Sequence, residues 1–261
     1  MGAQKSRIIA VANEKGGVGK TVTVLNIGAV LSQKGSTVLI VDMDPQSNAT
    51  RGLGVGANET MMTIYDIMMN KESVSVTDAI LQTSWKNLDL IPSHIDLAGA
   101  EVELINEIGR ENRLKEALGR VKGKYDFILL DTPPSLSLLT VNVFTYANEI
   151  LVPCQTHPYA YDALDELFDT IFAIKREINP ELEVSGIVAT LFDRRTRVSQ
   201  RILEKLKNDE RYKDLLLDTV IRINTTIAES ADVGKPVVFF RPGSYGAIDY
   251  MNLADELVTR R

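Results

Sequence analysis

The chain has 261 residues, 44% of them hydrophobic and 25% charged, with a formal net charge of −6. This is enough for one large α/β domain with a full core, and it excludes binding to nucleic acid by overall charge, so any DNA contact has to come from a local basic patch. The single cysteine, Cys154, excludes an internal disulfide framework and a cysteine-rich metal or iron–sulfur site within one chain.

Short apolar runs alternate with longer amphipathic stretches. Strands are predicted at 8–12, 37–41, 88–91, 127–130, 150–152, 184–190 and, more weakly, 219–223. They are rich in Val, Ile and Leu with little polar alternation, the pattern of strands buried on both faces of a parallel sheet. Helical periodicity fills the gaps, most clearly at 22–33, 97–108 and 163–178. The expected fold is therefore α/β: a doubly wound, mostly parallel sheet with helices on both faces, in one domain over residues 1–261. The polar, Met-rich stretch 52–87 predicts nothing definite. Cys154 closes the run Ile150-Leu151-Val152-Pro153 and reads as a small buried residue. The start of the chain has no charged segment followed by a long apolar run, and no stretch reaches the roughly 20 apolar residues of a membrane span. A cytoplasmic protein is expected, with no membrane contact.

The first strand runs into Lys15-Gly16-Gly17-Val18-Gly19-Lys20-Thr21, and a helix follows. Glycines let backbone N–H groups turn around an anion, and the helix aims its N-terminal dipole at the same point. Lys20 supplies a charge for the β- and γ-phosphates, and the Thr21 hydroxyl is placed to ligate Mg²⁺. The plainer alternative, a glycine-rich turn before a helix, does not account for the order strand, loop, Lys-Thr, helix. The second strand ends in Asp42-Met43-Asp44-Pro45-Gln46. One of these carboxylates can hold a metal-bound water and the other can orient the attacking water. Phe127-Ile128-Leu129-Leu130-Asp131-Thr132-Pro133-Pro134 fits a Walker B strand, with Asp131 holding Mg²⁺ through water. His94 and His157 stand alone and read as structural or exposed.

The loop departs from G-x-x-x-x-G-K-[ST]: Glu14 replaces the first glycine, and Lys15 precedes the glycine pair. In this it resembles the deviant phosphate loop of the ParA/MinD group of dimeric ATPases. That resemblance implies ATP and Mg²⁺ as ligands and a homodimer formed with ATP. It gives catalysis to Lys15, acting across the dimer, and to Asp44, orienting water. Nucleotide binding goes to Lys15, Gly16, Gly17, Val18, Gly19, Lys20, Thr21 and Val22, the last standing where threonine is usual. The metal set is Thr21, Asp42 and Asp131. Further along, Thr190-Leu191-Phe192-Asp193-Arg194-Arg195-Thr196, Glu229-Ser230, Gly234-Lys235-Pro236 and Gly246-Ala247 look like the chromosomal ParA or Soj branch. This implies a nucleoid-associated DNA-partitioning ATPase stimulated by a ParB-like DNA-binding protein.

The basic segment 194–207 holds six basic residues and one acid, Glu204. Arg197, Arg201 and Lys205 share a helix face beside an apolar stripe of Val198, Ile202 and Leu206. Such a ridge contacts phosphates without reading bases, although a solvated helix face fits the same pattern. The DNA set is Arg194, Arg195, Arg197, Arg201, Lys205 and Arg222; a position that is usually basic in the family is Thr226 here. Two other readings remain. A ParA-like ATPase positioning a protein cargo has the same nucleotide site. A MinD-like membrane ATPase needs a basic terminal helix, and the stretch 246–261 carries Asp249, Asp255 and Glu256 instead. An electron-transfer ATPase like the nitrogenase iron protein needs two cysteines per subunit.

Overall fold

The computed structural model describes residues 6–56, 61–69, 74–121 and 123–260. Strands β1 (Arg7–Val11), β2 (Val38–Asp42), β3 (Leu81–Gln82), β4 (Leu88–Ile91), β5 (Phe127–Asp131), β6 (Glu149–Gln155), β7 (Glu183–Phe192) and β8 (Leu216–Arg222) form one sheet in the order β3-β4-β2-β5-β1-β6-β7-β8. Every pairing is parallel except that of β3 with β4. The helices are α1 (Lys20–Gln33), α2 (Asn48–Gly52), α3 (Ile64–Met68), α4 (Leu97–Glu103), α5 (Arg113–Leu118), α6 (Leu138–Tyr146), α7 (Pro158–Asp162), α8 (Leu164–Glu177), α9 (Arg197–Asn208), α10 (Thr225–Asp232), α11 (Val237–Phe240) and α12 (Tyr245–Thr259).

Alternation along each strand divides the core into two layers. Ile9 and Val11 of β1 and Leu129 of β5 pack with α1, α11 and α12. Ile8 and Ala10 of β1, with Ile128 and Leu130 of β5, pack with α5, α6 and α8 on the other face. This is the doubly wound sheet read from the apolar runs.

Several elements differ from expectation. The 97–108 helix ends at Glu103, and Ile105 and Ile108 beyond it are exposed, Ile108 fully; the apolar spacing continues, but no neighbouring element covers it. Strand β6 extends through Pro153 to Gln155, beyond 150–152. The undefined stretch 52–87 contributes α3, a 3₁₀ turn at Val76–Ala79 and β3, and part of it lies outside the described residues. Cys154 is fully buried, and burial pushes its thiol up to about 12.

The register positions the site. Val11 and Asp42 both pair with Asp131, so β1, β2 and β5 end at one height. The loops after them share the crevice outside the carboxyl ends of the strands, where ligands of open α/β sheets bind.

Candidate functional site

The loop between β1 and α1 depends on two glycines in the left-handed region, Gly17 at φ 75° and Gly19 at φ 92°. A side chain would strain both; Gly16 has no such requirement. Gly19 also caps α1, so no side chain competes for the amides of the helix's first turn. The loop is pinned from three directions. Asn13 donates to the Pro153 carbonyl at 2.8 Å and accepts from the Lys15 amide at 2.9 Å. Thr190 at the end of β7 donates to the Val18 carbonyl at 2.8 Å, and Thr132 donates to Val11 at 2.9 Å.

Lys20 is buried, and its ammonium donates to the Lys15 carbonyl at 3.1 Å. Burial pushes its pKa down, against the pull of the Asp131 and Asp44 carboxylates. Lys15 is exposed. The Thr21 hydroxyl donates to one Asp131 oxygen at 2.7 Å. The other Asp131 oxygen is buried with no hydrogen-bond partner. Burial, then the nearby charge of Asp42, raises the Asp131 pKa well above the carboxylate range. A buried, half-satisfied carboxylate is costly, and this one lies beside the hydroxyl best placed to bind Mg²⁺. The donor set fits a hard cation held by one hydroxyl, phosphate oxygens and waters. It also fits the finding that no three carboxylate, His or Cys groups converge among the described residues.

Asp42, close enough to Asp131 for their charges to interact, is itself held by hydrogen bonds. One of its oxygens accepts from Thr50, through the amide at 2.8 Å and the hydroxyl at 2.7 Å; the other accepts from the Asp44 amide at 3.1 Å. Burial pushes its carboxyl up to about 6, against those bonds. These bonds make Asp42 a brace of the loop. The brace continues outward, since the Thr50 hydroxyl accepts from the Ser93 amide at 3.1 Å. Thr50 and Ser93 escaped the sequence reading because no fixed spacing marks them. Asp44, by contrast, lines the open cavity beside Lys20 and Thr21.

That cavity, of about 710 Å³, extends from the phosphate loop past Val22 to the segment after β8. Ile223, Asn224 and Ile227 form its far wall. The two positions of this segment weighed for DNA contact, Arg222 and Thr226, are not among the residues that line the cavity. Thr226 is buried and is no surface contact.

The basic segment forms α9, capped by Thr196, which accepts from the Ser199 amide. Ile202 and Leu206 are buried as expected, but Val198 is exposed, and Ser199 takes its place inward. Arg194, Arg197 and Arg201 are exposed. The other predicted cations are engaged. Arg195 pairs with Asp193 at 2.9 Å. Lys205 lies 3.7 Å from the centre of the Tyr161 ring. Arg222 grips Asp249, with a shortest contact of 2.5 Å, and stacks on Tyr245. Its guanidinium is thus engaged within the fold. No helix among the described residues is long and apolar enough to cross a membrane.

A family model described as an AAA domain matches residues 6–184. Sporulation initiation inhibitor protein Soj of Bacillus subtilis is 42% identical over 251 residues, covering 96% of this chain and 98% of that protein. Chromosome partitioning protein ParA of Caulobacter vibrioides is 39% identical, covering 100% of this chain and 97% of that protein. A Mycobacterium smegmatis structure described as cobyrinic acid a,c-diamide synthase with bound ATP analog and magnesium superposes with a TM-score of 0.83 at 35% identity, covering 97% of this chain and 94% of that one.

Proposed function

The chain belongs to the family of Soj and ParA chromosome-partitioning ATPases, and from that premise we propose that it is an ATP-driven switch that holds nonspecific DNA in its ATP-bound dimer and releases it after hydrolysis. The Thr21–Asp131 pair, with one Asp131 oxygen buried and unpartnered and Thr21 lining the cavity, carries the nucleotide half of this reading. When bound, Mg²⁺ neutralises charge between the β- and γ-phosphates. The chain's own groups do the rest. The Gly16–Gly19 amides and the start of α1 cradle the phosphates, and Lys20 neutralises the transferring group. Asp44 orients the attacking water. Lys15, exposed at the rim, reaches the nucleotide of a second copy and stabilises the charge that develops there.

The DNA half rests on three exposed cations, Arg194 in the turn before α9 and Arg197 and Arg201 one turn apart on it. Pairing two copies doubles this ridge, and a DNA-bound partner protein stimulates turnover. A second reading, a protein cargo in place of DNA, draws on the engagement of Arg195, Lys205 and Arg222 by neighbouring groups, which leaves a smaller ridge than the sequence count.

The test combines light scattering, ATP turnover and DNA retention over a salt series, with ATP, ADP or no nucleotide. Dimerisation and salt-sensitive DNA retention with ATP alone are expected. In Lys15→Ala, ATP should still bind the monomer, while turnover falls roughly a thousandfold, as when an arginine finger is lost. Normal turnover in that variant would end the trans role of Lys15, and ATP dimers that ignore DNA at all salt concentrations would favour the protein-cargo reading.

A further inference from the structure

The two long walls of the nucleotide cavity differ in chemistry. One, after β8, presents Ile223 and Ile227. The other is α2, which brings Asn48 and Arg51 to the same space. Lys20 and Arg51 are the two cations among the residues lining the cavity, and Lys20 lies at its phosphate end. Arg51 is exposed, and its guanidinium donates to the Asn48 side-chain oxygen at 2.7 Å.

The backbone beneath Arg51 is fixed from both sides. Thr50, its neighbour, is held to Asp42 through amide and hydroxyl. The Arg51 carbonyl accepts from the Gly54 amide at 2.9 Å. Gly234, just past α10, sits so close that an added Cβ would stand 2.8 Å from that carbonyl. So α2 is wedged between β2 and the end of α10, and the Arg51 side chain starts from a set position.

A planar guanidinium oriented by an amide, in one cavity with the aliphatic side chains of Ile223 and Ile227, offers a place for a flat aromatic ring; an ammonium would supply the charge without the plane. We propose that Arg51 stacks on the purine base of the bound nucleotide and holds it against the Ile223–Ile227 wall, an inference that rests on the nucleotide reading above. The contact is indifferent to the number of phosphates. It strengthens ATP and ADP binding alike and leaves the chemical step alone, since it is the same before and during phosphoryl transfer.

Calorimetric titration of ATP, ADP and inorganic triphosphate into the unaltered chain, Arg51→Ala, Arg51→Gln and Arg51→Lys tests this. Both nucleotides should bind Arg51→Ala and Arg51→Gln roughly five- to tenfold more weakly, the size of a partly desolvated cation–π contact, while inorganic triphosphate binds unchanged. Arg51→Lys should recover less than half of the loss. Unchanged nucleotide affinity in the alanine and glutamine variants would overturn the proposal, and so would an equal loss toward inorganic triphosphate, which would place the guanidinium on phosphate. Should the unaltered chain bind inorganic triphosphate but no nucleotide, the base contact fails alone; should it bind neither, the nucleotide reading fails with it.

Discussion

The phosphate loop was read from a contiguous glycine-rich motif and the basic helix α9 from cations at helical spacing, and the two are built in opposite ways. Around the loop several groups have a partner that fixes them: Lys20 on the Lys15 carbonyl, Thr21 on Asp131, Asn13 on two backbone atoms. On the surface, before α9 and at the end of β8, partners neutralise two of the cations: Asp193 for Arg195, Asp249 for Arg222. Pairing inside the crevice organises a site, because buried charge is tolerated only with a designed counterpart. Pairing at the surface subtracts from a site, because a cation held by a carboxylate has less to offer a phosphate.

If that contrast holds, removing a crevice charge does more than removing a cation of the α9 surface. The largest effect is expected for Lys20→Ala, which takes away the one buried ammonium of the cavity. Steady-state kcat/KM for ATP should fall roughly a thousandfold, the upper range for losing one preorganised electrostatic contact, and titration should detect no nucleotide binding. Asp44→Ala comes next. Turnover should drop about a hundredfold, as when a positioned proton-handling group is removed, while ATP still binds and the ATP dimer accumulates in light scattering. A modest loss in both variants would mean that the crevice is no more demanding than the surface.

The contrast also explains what the sequence disclosed. The phosphate loop was legible because its parts are contiguous: positive-φ glycines, Lys20 and Thr21 are fixed in offset by the turn they build. The central strands were legible because burial on both faces leaves unbroken apolar runs such as Ile128 to Leu130. The pairing of Arg222 with Asp249 was not, since a carboxylate 27 positions away on α12 leaves no local mark. The bond between Thr50 and Asp42 stayed hidden for the same reason, since the two lie a loop apart. Helical spacing predicted Val198 as buried because it gives a direction around the axis but not the neighbour that has to cover it.

On the surface side the effects are expected to be smaller and graded by pairing. Arg201→Glu reverses an exposed cation. DNA retention with ATP should weaken about tenfold, and the slope of log affinity against log salt should flatten by about two for a dimer that loses one phosphate contact per copy. Arg222→Ala should leave that slope alone and lower stability instead, by about 1–3 kcal/mol, because the buried Asp249 carboxylate loses its guanidinium. Chemical denaturation beside DNA retention separates the two. A flattened slope in Arg222→Ala would restore Arg222 to the DNA set.

The smallest effect is the most diagnostic, because it runs in the opposite direction. The Asp193 carboxylate is held at about 2 by the Arg195 side chain and amide, accepting from the guanidinium at 3.0 and 2.9 Å. Its folded pKa is depressed, so its contribution to stability is present above the ordinary Asp value near 4 and is lost as the pH falls through about 2. In Arg195→Gln the Asp193 titration seen by NMR should move up toward the ordinary range, and DNA retention should fall less than twofold, because that guanidinium was already engaged. Asp193→Asn should instead release Arg195 and tighten DNA retention at low salt about threefold, the modest size of an exposed charge effect. Weaker DNA binding in Asp193→Asn would show that the ion pair orients Arg195 toward phosphate, and surface pairing would then build a site just as pairing in the crevice does.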